Sequence, residues 1–370
     1  MDALNRLAPF FLLLLPLITN GQVINTAMMD TVENTVIGHV GLGGYVDSYY
    51  SYNFNKPSDD VNPYFVSSAR NNELTVNLAY VDVRYRSTNM RARFVPGFGT
   101  YMDANYKNEP GSLKNMVEAN VGIRIPNSKI WVDIGVLGSP YTNESAISKD
   151  HLMYLRSFAP ENVPYWVTGA RATIPVSPRV NAYLYVINGW QVIQDNNKSK
   201  SIATQLEVRP NRNLLLNWNT YIGNEESKDR PELRMRYFND FYVIYRPEGK
   251  KISATSDFYF GYQEKSNAST AFWWQANVIG KYTFTNIFSL SGRLEHFDDP
   301  NAAVIPTNIN GGTGFRASSV GLCANFNLYK LTLFRFEGRQ FFSQDNVYKD
   351  PNGVPTNISF MLVASLTAWF

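Results

Sequence analysis

The sequence predicts an all-β transmembrane protein, an antiparallel up-and-down β-barrel of about sixteen strands with short periplasmic turns and long external loops. Three observations carry this. Apolar and polar residues alternate with period two in segment after segment. Tight and longer polar connections take turns along the chain. The N-terminus reads as an export signal.

Residues 1–21 have the layout of a signal peptide. Arg6 supplies the charge, an apolar run extends from Leu7 to Ile18, and Thr19 and Gly21 set the small residues of a cleavage site between Gly21 and Gln22. The run is about a dozen residues, short of the roughly 20 that a membrane-spanning helix needs. Pro9 and Pro16 interrupt it, and no cysteine follows the site to carry a lipid. Residues 22–37 are expected to form a short periplasmic segment and residues 38–370 the barrel.

Strands are expected near 38–54, 72–87, 90–105, 113–125, 129–138, 163–175, 179–191, 200–210, 212–223, 233–246, 251–263, 271–284, 287–298, 315–327, 330–343 and 356–370. Phe272, Trp274, Ala276, Val278, Tyr282 and Phe284 share one parity, and Gln275, Asn277 and Lys281 the other. Successive side chains of a strand point to opposite faces, so such a segment has one apolar and one polar side. Connections such as Thr88-Asn89, Asn211 and Thr285-Asn286 are tight. Those at 55–71, 139–162, 192–199 and 299–314 are long. A soluble sandwich has no reason to place its long loops at one end. The last strand alternates up to Phe370, a terminal aromatic that resembles the signal read by the barrel-assembly machinery of Gram-negative bacteria.

Composition agrees. The 370 residues carry a net charge of +3, too little to argue for nucleic acid, and aromatics make up 14%. The single cysteine, Cys323, excludes an internal disulfide and reads as a small buried apolar filler. No apolar run after residue 18 is long enough for a membrane helix.

Charges facing lipid at mid-depth would cost about 2–4 kcal/mol each, so the charged parity is assigned to the lumen. The early strands then supply Asp47, Asp82, Arg84, Arg86, Arg91, Arg93, Glu118, Arg124, Asp133 and Arg171. The later ones supply Glu207, Arg209, Arg234, Arg236, Asp240, Asp257, Lys281, Arg293, Glu295, Arg335, Glu337 and Arg339. Thirteen are basic and nine acidic. Either the excess gives a weak preference for anions, or the charges pair across strands and select nothing. Tyr183, Tyr185, Tyr221 and Tyr259 share the lumen parity, as stacking steps or as girdle residues.

Loop 139–162 follows the fifth strand. Asn143 is positioned to cap a short helix over 144–158 with Glu144 in its first turn. An inward fold would present Glu144, Lys149, Asp150, His151 and Arg156 to the lumen and narrow it; an outward fold would leave them on the surface. His296 with Glu295, Asp298 and Asp299 could hold a divalent cation at the outer rim or simply begin a solvated loop. Otherwise nothing calls for a metal or cofactor. Nor is there a GxSxG elbow, an HExxH motif or a phosphate-binding glycine loop, since Gly41-Leu42-Gly43-Gly44 precedes a strand rather than a helix. No enzyme is expected.

Across the mature chain the sequence resembles the putative OmpL-like β-barrel porin family. The resemblance is carried by Gly44 to Phe54, by Glu144 to Asp150 with Tyr154 to Phe158 and Pro164-Tyr165, by Asn188-Gly189-Trp190, by Tyr221 to Glu225, and by Arg293 to Pro300. It departs at His151 and Pro160. The resemblance implies a porin-like diffusion channel for small polar or anionic solutes in a Gram-negative outer membrane, in contact with lipid and lipopolysaccharide and capable of forming a homo-oligomer. The alternative is a non-conducting barrel that serves as scaffold or receptor in a membrane complex. A plugged lumen with paired charges and inward aromatics would favour that alternative.

Overall fold

The computed structural model describes residues 38–307 and 314–370. The signal peptide, its cleavage site and the periplasmic segment 22–37 lie outside the described residues. The wall begins with β1 (His39–Asn53), β2 (Leu74–Arg86), β3 (Met90–Phe98), β4 (Met116–Arg124), β5 (Trp131–Gly138), β6 (Trp166–Ser177), β7 (Val180–Ile187) and β8 (Ser201–Asn211). It continues with β9 (Leu214–Asn224), β10 (Leu233–Tyr245), β11 (Ile252–Lys265), β12 (Thr270–Thr283), β13 (Phe288–Asp299), β14 (Phe315–Tyr329), β15 (Thr332–Ser343) and the C-terminal strand Ile358–Trp369. Each pairs antiparallel with its sequence neighbours, and the C-terminal strand closes the ring on β1. The result is a closed barrel of sixteen strands.

Closure leaves no strand edge to be satisfied by water, which the hydrocarbon layer could not supply. At the seam, Gly44 and Phe370 exchange backbone hydrogen bonds of 3.2 and 3.1 Å. A Cβ on Gly44 would run into the Phe370 ring, so the glycine provides the dent in which that ring lies.

The outer face is apolar and carries two belts of rings. Near the tight turns, Phe284, Phe288, Phe326 and Phe334 follow one another across β12–β15 at centroid spacings of 5.4, 5.2 and 6.1 Å. At the opposite end lie Tyr52, Phe54, Phe360, Tyr262 and Phe272. Such paired girdles mark the two membrane–water interfaces.

The structure corrects the reading in two places here. The third strand stops at Phe98 instead of running to 105: Gly99 turns the chain at φ 128°, and a short helix α1 (Thr100–Asn105) follows. That conformation is open to glycine, and α1 then buries Tyr101 and Met102 under the loops. The alternation of short and long connections is also imperfect. β11 and β12 project so far outward that only residues 266–269 join them, fewer than the turn 246–251 at the other end.

Candidate functional site

Period-two geometry turns the charged parity inward, and the two halves of the wall use it differently. On β2–β8 the charges meet one another. Arg84 stands opposite Arg93 and Arg86 opposite Arg91. Asp82 takes both Arg84 and Arg93 (2.8 Å), and Arg93 reaches Glu118 at 2.6 Å. Asp133 accepts from Arg91 at 2.7 Å and Arg171 at 2.9 Å, and Glu207 holds Arg209 at 2.9 Å. Arg124 is half-buried at the turn end. Asp47 is fully buried and bonds Asn77 and Thr367.

On β10–β15 the partner is loop 139–165, which lies inside the barrel. Arg335 donates to the carbonyls of Ser148 (2.7 Å), His151 (2.8 Å) and Met153 (3.2 Å). Glu337 accepts the backbone N–H groups of Tyr154 (2.8 Å) and Leu155 (2.9 Å). Arg339 donates to the Arg156 carbonyl at 2.6 Å and pairs with Glu295, which accepts the Phe158 N–H at 2.6 Å. Arg293 reaches the Leu155 carbonyl and, at 3.0 Å, Glu144. Over residues 148–158 the wall engages mainly main chain, beside the hydroxyls of Ser148 and Ser157, and arginine donors with carboxylate acceptors satisfy both kinds of backbone group.

The base of the loop is clasped by two further acids. Asp240 accepts the Thr142 N–H (2.9 Å) and the Asn219 side chain (2.7 Å), and Asp257 accepts the Asn143 N–H (3.2 Å) and Gln275. Asn143 does not cap a helix. Its side chain bonds Thr255 and Asn277 on the wall, at 3.0 and 2.8 Å. Between 144 and 158 the only regular structure is the 3-10 turn Ser148–Asp150, and a one-turn helix α2 (Phe158–Glu161) follows. Backbone groups committed to the wall are not free to form a helix ladder, which is why the expected helix is missing.

The loop's apolar side chains then fill the lumen. Tyr154, Leu155 and Phe158 pack with Tyr183, Tyr185, Phe238, Tyr259, Trp273 and Phe341. Tyr221 joins them, so all four lumen tyrosines are buried inside the barrel. From β8 round to the C-terminal strand the inward residues at mid-strand are all buried, and on β2–β7 only a few, such as Arg84 and Asn120, are half-buried. At this depth most inward side chains are covered by the loop and by one another.

Of the loop residues singled out, Glu144, Asp150, His151 and Arg156 are buried. Lys149 pairs with Asp150 at 2.8 Å and lies 5.7 Å from the centre of the Trp369 ring. Arg156 turns back on the loop carbonyls of Ser145, Ala146 and Tyr154. His151 Nε2 accepts the Ser145 N–H at 2.7 Å, so Nδ1 carries the ring proton. Burial, then the charges of Arg156 and Arg335, hold its pKa well below the usual 6.5.

Other singled-out residues part company. Glu295 and Asp299 face inward, with Asp299 accepting the N–H groups of Ala303, Val304 and Ile305, while His296 and Asp298 lie on the outer parity. Alternation separates the four, so they form no common cation site. Arg234 sits at a register shift near the outer rim and reaches Glu226 at 3.4 Å. Arg236 bonds Gln263 and lies against Trp190 and Trp273 at 4.8 and 5.5 Å. Residues missed from sequence include Thr142, Ser148, Asn219 and Arg246. Arg246 shares the inward parity of Arg236 and Asp240, a signal that was available.

The family model described as putative beta-barrel porin-2, OmpL-like, matches residues 39–370. Comparison with curated protein sequences returns no match. Among solved structures the chain is similar to the outer-membrane protein OmpT of Vibrio cholerae (TM-score 0.58, 9% identity, covering 92% of this chain and 99% of that one). It is similar to the anion-selective porin from Comamonas acidovorans (0.58, 10%, 90% and 100%) and to the outer-membrane channel DcaP of Acinetobacter baumannii (0.60, 9%, 92% and 99%). At such identities the likeness is one of fold.

Proposed function

The chain belongs to the putative beta-barrel porin-2, OmpL-like, family of outer-membrane channels, and from that premise we propose that it is a small-solute channel held closed or very narrow at rest by loop 139–165. One observation carries the reading: the loop is bonded to the inner wall from Thr142 to Phe158 and fills the section it crosses. Passage then requires the loop to shift or the side chains packed with it to yield. Solutes are small and polar, with anions favoured by the basic excess of the wall. The name of the Comamonas relative is consistent with that preference. The setting is a Gram-negative outer membrane, reached through a signal peptide cleaved near Gly21 and assembled through the terminal Phe370, in contact with lipopolysaccharide. A homo-oligomer fits the trimer form named for one OmpT structure.

The same occlusion favours a second reading, a non-conducting barrel that serves a partner complex. Planar-bilayer recordings separate the two. Native protein giving rare or small steps, and protein lacking residues 144–158 giving large steady ones, supports the channel. If both are silent while heat-modifiable gel mobility shows folded protein, the channel reading fails and the scaffold reading stands.

A further inference from the structure

We infer that the lumen holds a binding site for a small, doubly charged oxyanion at the turn-end foot of the loop, formed by Arg246, Lys281 and Arg335. In most of the wall, arginines are matched with carboxylates. Here three inward cations on β10, β12 and β15 face the same end of the lumen, close enough for their charges to act on one another, with no carboxylate within ion-pair distance among the described residues.

Strand register brings them together. Lys281 on β12 lies opposite Ser253 on β11. Tyr245 on β10 lies opposite Ala254, so Arg246 falls level with Ser253, where its N–H is held by the Asn213 carbonyl at 2.9 Å. Arg246 and Lys281 are therefore two strand spacings apart, roughly 10 Å between backbones, with a small serine between them. Arg335 comes from β15, and the charges of both arginines reach Lys281.

Two buried donors of this group are unspent. Arg335 is 2% exposed, and its Nε has no partner although its other nitrogens hold the loop; the Arg246 Nε is likewise buried and unpartnered. The acids whose charges reach Arg246 are Asp150 and Glu144. Each is committed elsewhere, Asp150 to Lys149 at 2.8 Å and Glu144 to Arg293 at 3.0 Å. Like charges gathered in a low-dielectric lumen repel unless a counter-charge joins them. Three cations with two unfilled N–H donors among them match an anion with several oxygens, of the phosphate or dicarboxylate type, better than a single halide. Lys281 and Arg246 are half-buried rather than sealed, which leaves the site reachable from the turn end.

The site does not depend on conduction, so it can be tested by binding alone. Folded full-length protein in detergent is titrated with inorganic phosphate at constant ionic strength and read by calorimetry. One saturable site is expected, competed by sulfate and not by chloride. Lys281→Gln combined with Arg246→Gln should weaken phosphate by about tenfold or more, since a hydrogen bond to a charged group contributes roughly that much. Should the double variant fail to fold, Lys281→Gln alone carries the test. Absence of saturable heat in the native protein, or an unchanged affinity in folded variants, overturns the site even if the barrel conducts.

Discussion

On β2–β8 inward arginines close on carboxylates of the wall itself, whereas on β13–β15 they close on the backbone of loop 139–165. Asp133 between Arg91 and Arg171 is complete without any loop, but Arg335 and Glu337 find their hydrogen-bond partners in main chain some 180 residues away. One half of the wall is a self-contained structural lattice. The other is a seat. The same residue types therefore make separable contacts, wall to wall in the first half and wall to loop in the second, and under the proposed gating only the second should bear on passage.

The largest effect is expected where the seat is broken. Arg335→Ala with Glu337→Ala removes the donors to three loop carbonyls and the acceptor of two loop N–H groups. Breaking buried charged contacts of this kind costs about 3–5 kcal/mol, and here the cost falls on the seated state of the loop. Single-channel conductance or open probability should rise several-fold over native protein while the barrel remains folded. A double variant that stays folded and is as quiet as native protein would sink the gating role of this wall.

The opposite half should respond in the opposite manner. Asp133→Asn leaves Arg91 and Arg171 without their shared carboxylate, and Asp133 is fully buried. We expect a loss of stability of about 3 kcal/mol, read as a lower temperature for the heat-modifiable gel shift, with conductance unchanged. A conductance change as large as that of the Arg335–Glu337 variant would erase the distinction between the halves.

How much of this was legible follows from the range of the interactions. The strands could be read because a misplaced charge on the lipid face is costly at every position, so Arg91, Arg93, Glu337 and Arg339 mark the lumen side from their own parity. Residues 144–158 could not be read. Glu144 after Asn143 looks like a helix start, but Asn143 is taken by Thr255 and Asn277, and the following backbone by Arg293, Arg335, Glu337 and Arg339. The end of β3 at Phe98 depends likewise on Gly99 and on what α1 packs against, not on the alternation before it. The inward tyrosines had the right parity, yet whether they lined a channel or filled it depended on the loop that meets them.

The smallest effect in reach is one of pH, and it sharpens the comparison because it acts on the seat alone. In the seated loop His151 is neutral, with Nε2 accepting from Ser145 and arginine charges nearby. Its pKa there is well below 6.5, whereas a released loop would return it to about 6.5. The released state then binds the extra proton. As pH falls below about 6.5, release gains up to roughly 1.4 kcal/mol per pH unit until the seated pKa is reached. Glu161 works against this, because burial raises its carboxyl pKa in the seated loop and acid therefore favours seating. Recordings between about pH 7 and 5.5 cross the ordinary histidine range, and comparing native protein with a variant that lacks the imidazole separates its share from that of the buried acids that also hold the loop, such as Asp240 and Asp257. Open probability should climb more steeply over that interval in native protein than in His151→Gln, which keeps an acceptor for the Ser145 N–H and does not titrate there. An equal climb in both proteins would move the proton to another group and leave His151 a packing residue.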